Sequence, residues 1–327
     1  MTTATIKPLY LLPFDHRHSY IKGMFHFDPP LSDTQHDHVA ASKQLIYDGF
    51  KAAVGTGLAQ ADAGILVDEE FGAALLRDAQ ARGFVTAVSV EKSGQDDFQF
   101  EYGNDFAAHI EAFHPTYAKV LVRYNPAGDA AVNAAQREHL KKLSDYCQRS
   151  SCGFMFELLV PATAAQLASV QGDKKAYDVE LRCDLMLQAI GQLQDADIEP
   201  TLWKIEGLDQ RADCERIVAQ VQRGGRHHTH CIVLGRGADI AQVEHWLSTA
   251  ASVPGFIGFA VGRTTFWDAV ADVEAQKITR LQGVAHVAER YRRWITIFEQ
   301  GLRARNDAER VPAIPAASAV HSAGAST

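Results

Sequence analysis

Short apolar runs that recur along the whole sequence constrain the fold of this chain more than any other feature. Eight of them begin on average about 35 residues apart, and amphipathic segments such as AAVNAAQREHLKKLSDYCQ fill the spaces between them. Runs that are apolar on both faces predict a parallel sheet covered by helices. The runs are LYLLPF from Leu9, GILV from Gly64, FVTAVSV from Phe84, AKVLVRY from Ala118, GFMFELLV from Gly153, TLWKI from Thr201, CIVLG from Cys231 and FIGFAVG from Phe256. Eight such units close a barrel, so we predict an α/β fold, a (β/α)₈ TIM barrel.

The alternative is an open, doubly wound sheet, which usually carries a glycine-rich turn after its first strand. Here the first run ends in PFDHRHSY, without G-x-G-x-x-G. After Val261, two further helical patterns, near 265–276 and 279–305, predict an additional C-terminal helix that packs on its own barrel. We assign residues 1–310 to the barrel domain and the Ala-, Ser- and Pro-rich residues 311–327 to a disordered tail.

Charge and cysteine content exclude several classes of protein. With 32 basic and 40 acidic residues the net charge is −8, which argues against a general nucleic-acid or anionic-membrane binder. The five cysteines are widely spaced and lack C-x-x-C, so they indicate neither a disulfide framework nor a zinc site. The N-terminus lacks a signal-peptide pattern, and no run approaches the ~20 apolar residues of a membrane span. We therefore expect a soluble cytoplasmic protein.

Three charged residues interrupt the apolar runs. Lys119 lies in AKVLVRY, Glu157 in GFMFELLV and Lys204 in TLWKIEG. Burying them is costly unless they are paired, so one interpretation is a structural ion-pair network, or a side chain that faces outward beneath a helix. The other is an amine nucleophile beside a second cation, with a carboxylate that transfers protons. That set of groups performs Schiff-base chemistry on ketones.

Two Gly-Arg pairs follow the seventh and eighth runs, where TIM barrels bind phosphate. The segments are VLGRGAD, with Gly235 and Arg236, and FAVGRTTFWD, with Gly262 and Arg263. Glycine lets backbone N–H groups approach phosphate oxygens, and arginine supplies a bidentate donor. We predict that these four residues bind a phosphate group.

Histidines crowd the first loop and leave a metal-dependent alternative open. With Asp15, some of them could bind a metal, but their spacing matches no common ligand template. We therefore expect no metal or cofactor. A second group of histidines precedes the seventh run, at the opposite end of the barrel. Glu69 and Glu70 follow the second run, where they either face the site or simply begin a helix. The first-loop histidines are His16, His18, His26, His36 and His38, and the second group is His227, His228 and His230.

From about residue 7 to 300 the chain resembles the domain-of-unknown-function family 2090, found fused behind the sugar kinase of bacterial myo-inositol catabolism and identified with 2-deoxy-5-keto-gluconate 6-phosphate aldolase. The segments that carry the resemblance are LYLLPFDHR, ILVDEEFGA, VEKSGQDDFQFEYG, KVLVRYNPAGD, FMFELLVPAT, LWKIEGLD, VLGRG and GFIGFAVGRTTFWD. More distantly it is similar to the class I tagatose-bisphosphate aldolases. This sequence has no room for the kinase, so we expect it to act as a separate partner or on another substrate.

The resemblance implies the catalytic roles. Lys204 would be the Schiff-base nucleophile, supported by Asp15, Lys119 and Glu157, with Glu91 as a weaker match. Glu157, assisted by Asp15, would transfer protons during imine formation and take the proton of the hydroxyl at the bond that breaks. The products would be dihydroxyacetone phosphate and malonate semialdehyde.

Charge and position assign the carboxylate of that substrate to Arg17 or Arg123. The expected partner is thus a small phosphorylated sugar or sugar acid. The sequence is compatible with both a monomer and a homo-oligomer. Two alternatives remain at this point. One is a metal-dependent lyase or isomerase on the same barrel, and the other is a non-catalytic sugar-phosphate-binding accessory protein.

Overall fold

The computed structural model describes residues 7–55, 57 and 59–310, and the predicted tail lies outside them. The predicted TIM barrel is confirmed. Each of eight parallel strands pairs with the next along the chain, and the eighth pairs with the first. The strands are β1 (Leu9–Pro13), β2 (Ala63–Val67), β3 (Val85–Ser89), β4 (Tyr117–Arg123), β5 (Gly153–Leu159), β6 (Leu202–Glu206), β7 (His230–Leu234) and β8 (Phe256–Ala260). Every predicted run overlaps one of them, and each strand begins within one residue of the start of its run.

Helices surround the barrel and cover the outer faces of its strands. Most of the long ones begin at a side-chain cap, as where Asp129 accepts hydrogen bonds from the Ala131 and Val132 amides. In the described part of the chain no helix is long and apolar enough to cross a membrane. The α-helices are α1 (His18–Tyr20), α2 (Asp33–Val54), α3 (Glu69–Ala81), α4 (Phe106–Phe113), α5 (Ala130–Arg149), α6 (Ala164–Ser169), α7 (Lys174–Glu180), α8 (Arg182–Asp195), α9 (Arg211–Val221), α10 (Ile240–Ala251), α11 (Arg263–Glu274) and α12 (Arg280–Arg310).

The additional C-terminal helix α12 packs on its own barrel, as predicted. Tyr291 is fully buried, and its hydroxyl donates to the Tyr10 carbonyl of β1 at 2.6 Å. Trp294 is also buried and donates from Nε1 to Thr265 Oγ1 of α11 at 3.0 Å. Both bonds satisfy polar atoms inside an apolar interface, which fixes the register of the helix on the barrel.

The interior of the barrel is built in two levels. The lower level is a small apolar cluster of inward-facing side chains, among them Leu11, Met155 and Leu202. Side chains two residues apart on a strand share a face. Glu157, two residues beyond Met155, and Lys204, two beyond Leu202, therefore also point inward, one level higher. The charged residues thus lie above an apolar plug, at the carboxyl ends of the strands.

Candidate active site

Lys119 of β4 is the centre of a buried charged cluster. Its Nζ donates to Asp15 Oδ2 at 2.7 Å and to Glu91 Oε1 at 2.6 Å, and it lies 2.9 Å from Glu157 Oε2. The three acids follow β1, follow β3 and lie in β5, so the barrel brings together parts of the chain that are far apart in sequence. Lys119 is 1% exposed, and three carboxylates satisfy its ammonium group. This arrangement makes Lys119 a fixed cation rather than a free amine.

Lys204 extends the cluster into β6. Its Nζ lies 2.9 Å from Glu157 Oε2, the same oxygen that faces Lys119. The strand register explains this contact, because Glu157 and Lys204 are direct partners in the parallel β5–β6 pair. Within the described chain Glu157 is the one acidic partner of Lys204. The sequence interpretation in which one of these charged residues points outward is therefore wrong.

Burial and ion pairing shift the pKa values of the residues in this cluster in opposite directions. Burial is the largest single effect on Asp15 and would raise its pKa, but Lys119, His16 and Lys204 together outweigh burial and hold that pKa well below its usual range. The pKa of Glu157 is lowered in the same way, against burial, by Lys119 and Lys204. Burial dominates for Glu91 and raises its pKa. Burial would lower the pKa of Lys119, yet the carboxylates raise it well above the usual value.

Arg17, predicted to bind a substrate carboxylate, is buried beside the cluster and connects the first and third loops. Its Nη1 donates to Glu101 Oε2 at 2.6 Å, and its Nη2 donates to the main-chain oxygen of Glu91. The Arg17 guanidinium therefore helps to position Glu91, and Glu101 neutralises it. Arg123, the other predicted carboxylate ligand, is exposed and donates to the Gln95 carbonyl at 3.1 Å.

Arg236, predicted to bind phosphate, lies after β7 and is held by two acids. Its Nε is 2.9 Å from Glu206 Oε1 and its Nη1 is 2.9 Å from Asp178 Oδ2. Glu206 ends β6, is buried, and also lies 3.8 Å from Arg182 Nη1. Asp178, on α7, likewise pairs with Arg182 Nε at 2.9 Å. A phosphate at Arg236 would thus meet a guanidinium whose charge is already balanced.

The second Gly-Arg pair lies beside the first. Arg263, the exposed first residue of α11, donates from Nη2 to the Arg236 carbonyl at 2.9 Å. Gly262, just before α11, is packed so closely that a Cβ there would lie 2.4 Å from the Pro13 carbonyl oxygen. Gly235 is less confined, since a Cβ there would lie 3.0 Å from Val261 Cγ1. The four predicted phosphate ligands therefore lie together at the ends of β7 and β8.

The two groups of histidines lie in different parts of the barrel. His227 and His228 are exposed and His230 begins β7, so this group lies at the amino end of the barrel, as predicted. In the first loop, His18 is exposed, His38 pairs with Glu274 at 2.6 Å and His36 stacks against Phe71. Among the described residues, no three His, Cys, Asp or Glu side chains are grouped to hold a metal ion. Of the histidines that the structure describes, only His16 interacts with the charged cluster.

Several side chains that form ion pairs with the predicted site residues were not predicted from the sequence. Glu101, Asp178 and Arg182 lie outside the strand ends, and no local pattern indicates that they reach Arg17 or Arg236. A buried ion pair between Lys43 of α2 and Asp68, the N-cap of α3, was also missed. Glu69 pairs with His109 of α4 at 2.8 Å, away from the lysines.

Comparison with known proteins gives a family match over nearly the whole chain. Residues 1–302 match the family model described as "Uncharacterized protein conserved in bacteria (DUF2090)". No curated protein sequence matches significantly.

Solved structures with this fold include several aldolases. Fructose-bisphosphate aldolase from Plasmodium falciparum superimposes with a TM-score of 0.60 at 13% identity, covering 92% of each chain. Cgl0159 from Corynebacterium glutamicum gives 0.53 at 17% identity, covering 87% of this chain and 85% of its own. An archaeal fructose 1,6-bisphosphate aldolase gives 0.51 at 12% identity over 87% and 94% of the two chains. At these identities the similarity establishes a shared fold.

Proposed function

The chain belongs to the DUF2090 family, and from this premise we propose that it is a class I aldolase that cleaves a phosphorylated keto sugar or keto sugar acid. The observation that carries the proposal is the contact between Lys204 and Glu157. A lysine that is 2% exposed lies 2.9 Å from one carboxylate, beside a second lysine held by three acids. An amine nucleophile with an adjacent proton acceptor is what imine formation requires. The aldolases among the similar structures support the assignment of this fold to such chemistry.

In the proposed reaction, the Lys204 ammonium first gives a proton to Glu157. The free amine then attacks the substrate ketone and forms the C–N bond of a carbinolamine. Glu157 returns the proton to the carbinolamine hydroxyl, which leaves as water and produces a protonated imine. Lys119 stays charged throughout, because Asp15 and Glu91 hold its ammonium group at 2.7 and 2.6 Å.

Cleavage uses the imine as an electron sink. The bond between the α and β carbons breaks, its electron pair moves toward the imine nitrogen, and an enamine forms on Lys204. The β hydroxyl loses its proton to the Glu157 carboxylate, assisted by Asp15, and its carbon becomes that of an aldehyde. Protonation of the enamine and hydrolysis of the imine then release the ketone product and the free lysine. The chemistry requires no metal.

The Gly-Arg segments supply the proposed phosphate site. Backbone amides of Gly235 and Gly262 approach the phosphate oxygens, Arg263 supplies positive charge, and Arg236 binds the phosphate in competition with its acidic partners Asp178 and Glu206. Arg17 or Arg123 would bind a substrate carboxylate. We propose 2-deoxy-5-keto-gluconate 6-phosphate as the substrate, which would give dihydroxyacetone phosphate and malonate semialdehyde.

The decisive experiment is borohydride reduction in the presence of dihydroxyacetone phosphate, followed by intact mass and peptide mapping. A stable adduct on Lys204 is expected, and it should disappear in Lys204→Met. Lys142→Met is the matched control, since Lys142 is an exposed lysine on α5. A folded protein that forms no adduct on Lys204, or forms it equally in Lys204→Met, would overturn the proposal. Loss of cleavage on EDTA treatment would favour the metal-dependent lyase instead.

A further inference from the structure

We propose that His16 is a further catalytic residue of this site, and that its imidazole hydrogen-bonds an oxygen on the triose-phosphate half of the substrate. The inference rests on the proposed function and extends it to a residue given no role there. His16 directly follows Asp15 at the end of β1, where the charged cluster and the predicted phosphate site meet.

The position of the His16 ring is the first observation. A Cβ built on Gly262 would lie 3.4 Å from His16 Cε1, so the ring lies against the turn that precedes α11. The ring also makes an edge contact with Phe266 of α11, with 6.1 Å between centroids. The charges of Asp15, Glu157, Lys204 and Arg263 all act on the imidazole, so the ring lies near both the lysine cluster and the second Gly-Arg pair. A substrate bound through Lys204 and a phosphate at Gly262 would pass this ring.

An unsatisfied polar atom is the second observation. His16 Nδ1 is inaccessible to water, and no hydrogen-bond partner exists for it within the described chain. Buried polar atoms are nearly always paired, and an unpaired one calls for an explanation such as a catalytic role or a bound group. His38 and His109, in contrast, each pair with a glutamate, at 2.6 and 2.8 Å. His230 also has an unpaired buried Nδ1, but it begins β7 at the amino end of the barrel, away from the lysines.

The charge state of His16 determines what it can bind. Burial lowers its pKa to about 4, Arg263 and Lys204 act in the same direction, and Asp15 and Glu157 oppose them. Near neutral pH the ring is therefore uncharged, with one nitrogen that donates and one that accepts. Such a group suits a hydroxyl or an ester oxygen, whereas the arginines suit the phosphate itself.

The test compares His16→Phe, which keeps a ring but no hydrogen bond, with His16→Gln, which keeps a polar group. His18→Phe is the matched control, because His18 is an exposed histidine of the same loop. With the proposed substrate we expect kcat/KM to fall about ten- to a hundredfold in His16→Phe, within the range of one lost hydrogen bond. His16→Gln should retain most of the activity, and His18→Phe should match wild type. Wild-type kcat and KM in folded His16→Phe would overturn the proposal.

A second measurement separates this inference from the proposed function. The imidazole NMR signals of His16, identified by their loss in His16→Gln, are followed while dihydroxyacetone phosphate is added to the unmodified enzyme. A shift that saturates, while the His18 signals stay still, supports direct contact even if borohydride traps no imine. If an adduct forms on Lys204 and the His16 signals do not move, the class I assignment stands and the role of His16 is wrong.

Discussion

The Nζ atom of Lys204 lies 2.9 Å from Oε2 of Glu157, inside a closed barrel where neither side chain is more than 6% exposed. The same carboxylate oxygen lies 2.9 Å from Lys119. Two lysines therefore share one acid, but they differ in what else they contact. Lys119 has two further carboxylates and is a fixed cation, and this difference supports the proposal that Lys204 is the nucleophile. The following predictions test the consequences of this arrangement.

Removing the central cation should destabilise the fold. Lys119→Met leaves Asp15, Glu91 and Glu157 buried without their shared ammonium group. Breaking a buried ion pair costs about 3–5 kcal/mol, and we expect a loss of free energy of unfolding in that range. The loss should be smaller at pH 5 than at pH 8, because protonation relieves the repulsion between the carboxylates. Urea denaturation at both pH values measures this, with Lys142→Met as the control. An equal loss at the two pH values would contradict the explanation.

The loss of stability at low pH should depend in part on Asp15. Its pKa is lower in the folded protein than its ordinary value of 3.8. A carboxyl group whose pKa is lower in the folded protein stabilises the fold at any pH above its pKa in the unfolded chain. This contribution is lost as the pH falls toward the pKa of the folded protein. Asp15→Asn should therefore cost clearly more free energy of unfolding at pH 7 than at pH 3. Denaturation midpoints at the two pH values measure the difference, and a constant gap between variant and wild type would exclude this linkage.

Asp178 should compete with substrate phosphate for Arg236. The two side chains lie 2.9 Å apart, and Asp178 is on the short helix α7. Asp178→Asn should lower KM for the phosphorylated substrate several-fold with little change in kcat, because it frees positive charge in the ground and transition states alike. Arg236→Gln should mainly raise KM. Asp184→Asn is the control, since its partner Arg216 lies on the outer helices. An unchanged KM in Asp178→Asn would argue against a phosphate at Arg236.

The two glycines of the predicted phosphate site should tolerate alanine differently. At Gly262 a Cβ would lie 2.4 Å from the Pro13 carbonyl oxygen, so the backbone must shift. At Gly235 it would meet Val261 Cγ1 at 3.0 Å, and that side chain can adjust. We expect Gly262→Ala to lose about 1–3 kcal/mol of stability and most phosphate affinity, and Gly235→Ala to lose less of both. Urea denaturation and titration with inorganic phosphate measure the two effects. A Gly235→Ala variant as damaged as Gly262→Ala would contradict this ranking.

Several parts of the site could be predicted because they depend on local pattern. Lys119, Glu157 and Lys204 stood out as charges within apolar runs, and the two Gly-Arg pairs lay at strand ends. In a barrel, a position along the strand determines both the face and the level of a side chain. The ion pair of Arg236 could not be predicted in this way. Its partner Asp178 is 58 residues away, on a helix whose position does not follow from the pattern of strands.

The barrel and the location of the candidate site at the carboxyl ends of its strands could be read from the sequence, because apolar runs and the helical patterns between them are local properties. The sequence left open whether Lys119, Glu157 and Lys204 all point inward, and their burial in the structure shows that they do. Which charges pair depends on the tertiary structure. Closing the barrel puts Asp15 2.7 Å from Lys119, although 104 residues separate them, and brings Arg17 to Glu101 across 84 residues. Contacts between different strand ends depend on barrel closure and loop paths, which no local pattern encodes.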